Sequence, residues 1–536
     1  VIGRVAVNSV GYLPDRVKRA TVAAPVDAFQ VRDLDGNVVY EGVPSGPVSD
    51  AVSSTETQDL WVLDFTELTA PGDYFVTVDG PEPYPESAPF AIGDGVYDPL
   101  LHALMLGMTG LRCGSEVAFD WEGTSYAHDA CHLEDASLAY VGGTHRDGTG
   151  GWHDAGDYGK YTVNGAFTSG MMLLAWEHFP EHLAGRPFDL PETGDDVPDY
   201  LDENRVNLEW LLKMQNEDGS VAHKLTSVTY ADLYAMPEDD LAERFFSDWG
   251  SAGTGDFVAV MAQAARVYAE IDADFADRCL QAAQQSYAFL GEHPDTKEPV
   301  RNQSQFREMQ YSSDPTRPGS DSDERAWAAC ELWATTGDAT ALADCEARLD
   351  LLAPGTNWDW SNVGSLAVYT YVLSAPPDPD LRNPELLQRK ADEIVRVADS
   401  MAAAADRNPW GLAYTGGRYW GINGVYARTV IGLRTAYLLD PKPEYLDAAT
   451  QQIDHLLGRN YYARSQVTGI GSNPPAHPHH RPSMGDTVSA PWPGLLIGGA
   501  QPNATSWKDD SNDAQTSEIA INWNAALIYA VASFVH

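Results

Sequence analysis

Phe257-Val-Ala-Val-Met-Ala-Gln-Ala-Ala-Arg-Val-Tyr268 sets Phe257, Val260, Met261, Ala264, Val267 and Tyr268 at the i, i+3, i+4, i+7 spacing of one helical face. A segment with that period buries an apolar stripe and turns its other residues outward. Similar stripes run through Tyr200–Met214, Glu324–Thr335, Ala391–Ala405 and Glu444–Leu457. Long stretches rich in Gly, Pro, Trp and Asp separate them, and loops of that length in a compact domain are usually functional. No βαβ alternation and no Gly-rich phosphate loop occurs, which argues against nucleotide chemistry. Many helices with functional loops between them suit a mainly α fold, an α-helical toroid or barrel.

Upstream of Tyr97 the period shortens to that of a strand. Arg4-Val-Ala-Val, Gln30-Val-Arg, Asn37-Val-Val-Tyr, Leu60-Trp-Val-Leu-Asp-Phe and Asp73-Tyr-Phe-Val-Thr-Val alternate, with turn signals at Asp35-Gly36, Pro71-Gly72 and Asp79-Gly80. Short strands at this spacing predict a small immunoglobulin-like β-sandwich over residues 1–92. Pro81-Glu-Pro-Tyr-Pro reads as its last hairpin or a linker.

With 536 residues, 43% of them apolar, the chain can build a large core. No apolar run is long enough to cross a bilayer, so no membrane partner is expected. The sequence opens on Val1-Ile-Gly-Arg-Val-Ala-Val without a signal peptide or initiator Met, and reads as a mature or trimmed form. Against 34 Lys and Arg stand 78 Asp and Glu, a net charge of −44, which excludes a basic nucleic-acid footprint. Carboxylates this dense are expected to suit high salt, as on a halophile's surface, the alternative being an ordinary acidic extracellular enzyme. Five cysteines argue against a complete disulfide framework. Cys279, Cys330 and Cys345 fall in alanine-rich helical patterns and read as small core residues.

Three segments concentrate polar and aromatic residues. In Gly150-Gly-Trp-His-Asp-Ala-Gly-Asp-Tyr-Gly-Lys-Tyr161, Asp154 and Asp157 lie three apart beside glycines and can converge on one water; the alternative is a helix N-cap with a helper acid. Asn473-Pro-Pro-Ala-His-Pro-His-His-Arg481 offers three His and an Arg in a proline-stiffened loop, fit for a polar ligand or a metal, or merely an exposed turn. In Trp507-Lys-Asp-Asp-Ser-Asn-Asp-Ala-Gln-Thr-Ser-Glu518, the final Glu precedes an apolar helix expected over Ile519–Phe534, where it could simply compensate the helix N-terminus.

The ordered trio resembles glycoside hydrolase family 9, in the subgroup with an N-terminal immunoglobulin-like domain, over essentially the whole length. Gly151-Trp-His-Asp-Ala-Gly-Asp-Tyr-Gly-Lys-Tyr161 is similar to the catalytic-base motif, and Trp358-Asp-Trp-Ser-Asn362 resembles another family segment. Ser465–Asn473 followed by Pro478-His-His-Arg481 is similar to the histidine motif. One departure is Ala514, where the family usually carries an aromatic four residues before the acid. The resemblance implies an (α/α)6 barrel over residues 93–536. It also implies an inverting hydrolase of β-1,4-glucan, endo or processive endo, the alternative being an exo-acting glucosidase or glucosaminidase. Asp157 becomes the general base, Asp154 a holder of the nucleophilic water, and Glu518 the general acid. His479 and Arg481 are implied to bind sugar hydroxyls, with Asp509 supporting the loop. Inversion needs base and acid ~6.5–9.5 Å apart, so that water fits beneath the sugar.

Sugar rings rest apolar faces on aromatics, so Trp249, Trp358, Trp360, Tyr419, Trp420 and Trp507 are candidate subsite walls. Ala514 removes one such wall and leaves endo against exo open. Cys113, Cys131, His132 and His153 form a plausible zinc set of two thiolates and two imidazoles, the alternative being one disulfide and unrelated histidines. The resemblance favours a structural zinc, with His145 as reserve ligand, anchoring the loop of Asp154 and Asp157. It also allows calcium at acidic loops whose ligands the sequence does not single out. The expected partner is a β-glucan oligo- or polysaccharide, acted on by a secreted monomer.

Overall fold

In the computed structural model, which describes residues 3–134, 136–139, 145–299, 320–375, 377 and 381–536, two sheets form ahead of Tyr97. The strands are β1 (Gly11–Tyr12), β2 (Arg19–Val22), β3 (Ala28–Asp33), β4 (Val38–Gly42), β5 (Ser45–Ala51), β6 (Thr57–Asp64), β7 (Gly72–Asp79) and β8 (Phe90–Ile92). One sheet runs β1-β8-β7-β3-β4 and the other β2-β6-β5. Alternation sets the register: Phe29 faces Val78 and Val31 faces Val76 across β3 and β7, and Phe29, Val31 and Val76 are buried with Leu63, Phe65 and Phe90. Tyr12 packs edge-on against Phe65 and Phe90 with ring centroids 5.3 and 5.2 Å apart. The strand expected at Arg4–Val7 is reduced to one bridge, Ala6 to Thr21.

Helices follow: α1 (Asp98–Thr109), α2 (Thr162–His178), α3 (Pro180–Leu183), α4 (Asp199–Met214), α5 (Ser251–Tyr268), α6 (Ala273–Glu292), α7 (Ser322–Thr336) and α8 (Ala339–Leu349). Then come α9 (Gly364–Leu373), α10 (Pro384–Arg407), α11 (Ile422–Leu439), α12 (Pro443–Leu456), α13 (Arg481–Gly485), α14 (Ala514–Ser517) and α15 (Ile521–Ala532). From Ser251 onward, α5, α7, α9, α11 and α15 are buried almost all round, while α6, α8 and α10 keep a polar face outward. That alternation is the one an α/α barrel's inner and outer helices show. Local chemistry fixes the ends. The Asp338 carboxylate accepts from Thr340 N and Ala341 N to start α8, and Gly337, at φ 71°, closes α7 on the Trp333 carbonyl.

Two features depart from the sequence reading. Cys330 and Cys345 are not separate core thiols but a disulfide joining α7 and α8, with Cα atoms 4.9 Å apart; each sits on the face its own helix turns toward the other. The helical pattern after Tyr97 is also interrupted by strands: β9 (Val117–Trp121), β10 (Thr124–His128), β11 (Ala136–Ala139), β12 (His145–Asp147), β13 (Lys160–Tyr161), β14 (Lys224–Ser227) and β15 (Arg244–Phe246). At two to five residues each, these are too short to show a period.

The residues group into two compact units, Val1–Gly107 with Val397–His479 and Val488–His536, and Met108–Arg396 with His480–Thr487. In the second, α5 packs against α2, α6 and α7. In the first, the sandwich meets α12 through buried polar groups. Asn8 Nδ2 donates to Asp454 Oδ1 at 2.9 Å, Ser9 N donates to the Leu457 carbonyl at 3.0 Å, and Arg459 Nε donates to Thr21 Oγ1 at 3.1 Å.

Burial pushes the Asp454 carboxyl up to about 7. A carboxyl raised on folding stabilises fully below its unfolded pKa and loses that contribution as pH climbs through the folded value. Asp454→Asn is therefore expected to gain stability relative to the parent between pH 4 and 7, by on the order of a few kcal/mol. Thermal melts of both proteins across that range check it; a melting-temperature difference that does not change with pH counts against it.

Candidate active site

The base segment lies in the second unit. Its backbone turns at Gly150 and Gly151, with φ 94° and 79°. A Cβ on Gly151 would come within 2.7 Å of the Trp210 ring, so no larger residue fits. Lys160 Nζ, itself buried, donates to the carbonyls of Gly148 at 2.7 Å and Gly150 at 2.9 Å. Asp154 is 3% exposed and accepts from Asn164 Nδ2 at 2.7 Å. Asp157 is half-buried and accepts from Tyr161 Oη at 2.8 Å. The helix that follows, α2, takes Tyr161 as its N-cap and uses no side chain there, so neither Asp is a cap. Burial, and then the Asp157 charge, push the Tyr161 hydroxyl well above its ordinary range. It therefore stays a donor wherever Asp157 is ionised. Tyr161 and Asn164 were not singled out in the sequence; their spacing from Asp157 and Asp154 was the available signal.

Arg481 was expected to meet sugar hydroxyls. Instead it is 5% exposed and gives its nitrogens to backbone: Nη1 to the Gly156 carbonyl between the two Asp residues, Nη2 and Nε to the Ala231 carbonyl at 3.0 and 3.2 Å. A guanidinium spent on carbonyls braces the loop. Arg244 Nη2 adds a bond to the Tyr158 carbonyl at 2.7 Å.

Beside that loop the four expected metal donors converge. One donor atom from each of Cys113, Cys131, His132 and His153 lies within 4.8 Å of the others. Cys113 Sγ is 3.6 Å from His132 Nδ1, Cys131 Sγ is 3.8 Å from His153 Nε2, and the two nitrogens are 3.3 Å apart. Burial pushes the His153 imidazole down to about 4, which keeps it neutral, as a ligand must be. The far nitrogen of His132 faces the buried Asp240 carboxylate at 3.4 Å, the outer carboxylate that ligating histidines commonly carry. Backbone bonds link this cluster to the base segment: Cys113 N donates to the Gly151 carbonyl and His153 N to the Leu111 carbonyl, both at 2.8 Å. His145, the reserve ligand, is exposed on β12 and is not one of the four.

The acid segment lies in the first unit. Glu518 does not open a helix. It follows α14 at φ −63°, ψ 153°, and α15 begins only at Ile521. Residues 518 and 519 instead pair sideways, Glu518 with His479 and Ile519 with Ile497. Gly498 N donates to the Glu518 carbonyl at 2.7 Å, and His479 N to the Ser517 carbonyl at 2.8 Å. His479 Nδ1 lies 2.6 Å from the Ser511 carbonyl, so Nδ1 carries a proton. Asp509 accepts from Ala476 N, His477 N and Arg464 Nη2, the last at 2.6 Å. Burial works against its charge, but Arg464 and the two amides hold the carboxyl below its usual range. These bonds make it a clasp between residues 464, 476 and 477.

Among the aromatics, the structure corrects two. Trp358 is 3% exposed and packs edge-on against Phe167 and Tyr369, and Trp507 is 6% exposed beneath Arg464. Neither offers an open face to a sugar. Trp249, Trp360 and Tyr419 are half-buried, while Trp420 is 46% exposed and donates from Nε1 to Glu518 Oε2 at 3.0 Å.

Residues 97–531 match the family model for glycosyl hydrolase family 9, and residues 2–82 match that for the cellulase N-terminal Ig-like domain. Endoglucanase D of Acetivibrio thermocellus is 41% identical over 539 residues, covering 99% of this chain and 83% of its own length. A single-mutant thermostable endoglucanase from Alicyclobacillus acidocaldarius superposes with a TM-score of 0.89 at 30% identity, over 100% of both chains. A zinc-binding triple mutant of the family 9 endoglucanase J30 does so at 0.87 and 32% identity, over 98% of this chain and 99% of its own. The chain is a glycoside hydrolase of the cellulase type, an (α/α)6 barrel preceded by an Ig-like domain. It belongs to glycosyl hydrolase family 9.

Proposed function

We propose that this hydrolase cleaves internal β-1,4 bonds of a glucan with inversion, Asp157 serving as general base and Glu518 as general acid. The observation that carries the reading is the division of labour on the base loop. Asp154 is buried and fixed by Asn164, whereas Asp157 is half-open with one oxygen on Tyr161. The open carboxylate takes the proton of a water as that water attacks the anomeric carbon, and the fixed one orients the water. Glu518 gives its proton to the glycosidic oxygen as the C–O bond breaks, so the β-linked sugar leaves as the α-anomer. Both acids then exchange protons with solvent. His479 and the rings of Tyr419 and Trp420 are the sugar-binding groups of this reading.

The metal is read as zinc. Bonds of ~2.3 Å to sulfur and ~2.05 Å to nitrogen put tetrahedral S···N and N···N edges at roughly 3.6 and 3.4 Å. Observed donor separations of 3.6, 3.8 and 3.3 Å fit that geometry. All four positions are filled by protein, so the ion would cross-link the fold and supply no reacting water. Polymeric glucan does not enter cells, so we place the enzyme's action outside them, with an acidic surface suited to high ionic strength. The domains are taken as residues 1–92 and 93–536.

Digestion of cellohexaose followed by NMR of the first products tests the reading. Cellobiose to cellotetraose appearing together, with the newly formed reducing ends initially α, is the expected result. Glucose and cellopentaose as the only early products would favour the exo-acting alternative, and new reducing ends that form as β would overturn inversion.

A further inference from the structure

Of the fifteen tryptophans, all of them among the described residues, Trp420 alone is exposed rather than buried or half-buried. Its position is nonetheless fixed. Gly421 follows at φ 87°, and a Cβ there would lie 2.6 Å from the Trp523 ring, so the turn into α11 has one form. Ile422 N closes that turn on the Tyr419 carbonyl at 3.0 Å. On the other side, Glu518 is held by its own amide on the Ala514 carbonyl at 3.2 Å and by Gly498 N on its carbonyl. Two anchored backbones therefore present one indole N–H to one carboxylate oxygen at 3.0 Å.

An indole N–H can only donate. The carbonyl oxygen of a protonated carboxyl is its stronger acceptor, so this bond favours the acid's proton on the opposite oxygen. We infer that Trp420 is a positioning residue for the general acid: its N–H, bonded to Glu518 Oε2, directs the transferable proton to Oε1 and fixes the carboxyl's orientation toward the leaving oxygen. This rests on the reading of Glu518 as the acid. The same side chain then has two uses, an exposed ring face for a sugar and a ring edge for the acid. A sugar covering the face would exclude water from the bond and strengthen it.

The test uses the full chain and two substrates, a cello-oligosaccharide and a 2,4-dinitrophenyl cellobioside, whose leaving group departs without a proton. Trp420→Phe keeps a ring and removes the N–H. Its kcat on the oligosaccharide is expected to fall about 10- to 100-fold, the worth of one hydrogen bond to a charged group. KM should stay within about twofold, and kcat on the dinitrophenyl substrate should stay near the parent's. Equal losses on both substrates, or a raised KM with kcat intact, would overturn the inference, since packing or sugar stacking would then explain the residue. Glu518→Gln, run alongside, separates the two claims. If it too loses equally on both substrates, the acid assignment fails; if it spares the dinitrophenyl substrate while Trp420→Phe does not, only the role of Trp420 falls.

Discussion

Asp157→Asn is expected to lower kcat on a soluble β-glucan by on the order of 10²- to 10⁴-fold, the usual worth of a general base, with KM and melting temperature near the parent's. Asn keeps the shape of the side chain and an oxygen that can still accept from Tyr161 Oη, now 2.8 Å from the carboxylate. What it loses is the capacity to take a proton, which matters only in the transition state and so appears in kcat. Tyr161→Phe should act in the same direction but more weakly, about tenfold, because it removes one fixed donor from a carboxylate that retains its charge. Steady-state kinetics on both variants, with calorimetry to verify folding, decide the matter. If Asp157→Asn keeps activity within about twofold while Asp154→Asn abolishes it, the base is Asp154 and the division of labour on the loop is reversed.

That loop also shows how far the sequence could be read. Helix period revealed α4, α5, α7, α10 and α12 to within a few residues at each end, except that α5 and α10 start six and seven residues before their stripes. The disulfide was hidden by the same period, because Cys330 and Cys345 look like alanine-sized core residues until α7 and α8 are laid together. Strand β5 was missed because it is exposed along nearly its whole length and shows no alternation. The metal group was legible because His and Cys carry their chemistry wherever they stand, and all four expected donors meet. The aromatic walls were less legible. Trp358 and Trp507 sit in polar, glycine-rich stretches like Trp420 does, and only tertiary packing distinguishes a buried ring from an open one. Arg481 misled for a related reason: a guanidinium suits a sugar hydroxyl and a backbone carbonyl equally, and the carbonyls of Gly156 and Ala231 are what it meets.

Removing the metal is the second large effect expected. Residues 113, 131, 132 and 153 come from three separate stretches of chain, and their donors lie within 4.8 Å of one another. An ion there cross-links those stretches, and its binding free energy adds to folding because the unfolded chain holds no formed site. Cys131→Ser, or exhaustive chelation, should therefore cost a few kcal/mol and lower the melting temperature by roughly 5–10 °C. Activity should fall as well, chiefly in kcat. His153 immediately precedes Asp154, and Cys113 N holds the Gly151 carbonyl at 2.8 Å, so losing the cross-link loosens the loop that carries both Asp residues. Cys279→Ser is the control: Cys279 is fully buried on α6, its thiol is pushed up to about 12 by burial, and it belongs to no donor group among the described residues. That change should cost an ordinary packing penalty, insensitive to chelator. Calorimetry with and without chelator, paired with elemental analysis, reads the difference. One bound zinc per chain and a chelator-sensitive melt in the parent, absent in Cys131→Ser, is the expected pattern. A parent without metal whose melt ignores chelator would leave four buried donors stabilised by their mutual hydrogen bonds alone, and the base loop would then owe its position to Lys160, Arg481 and Arg244.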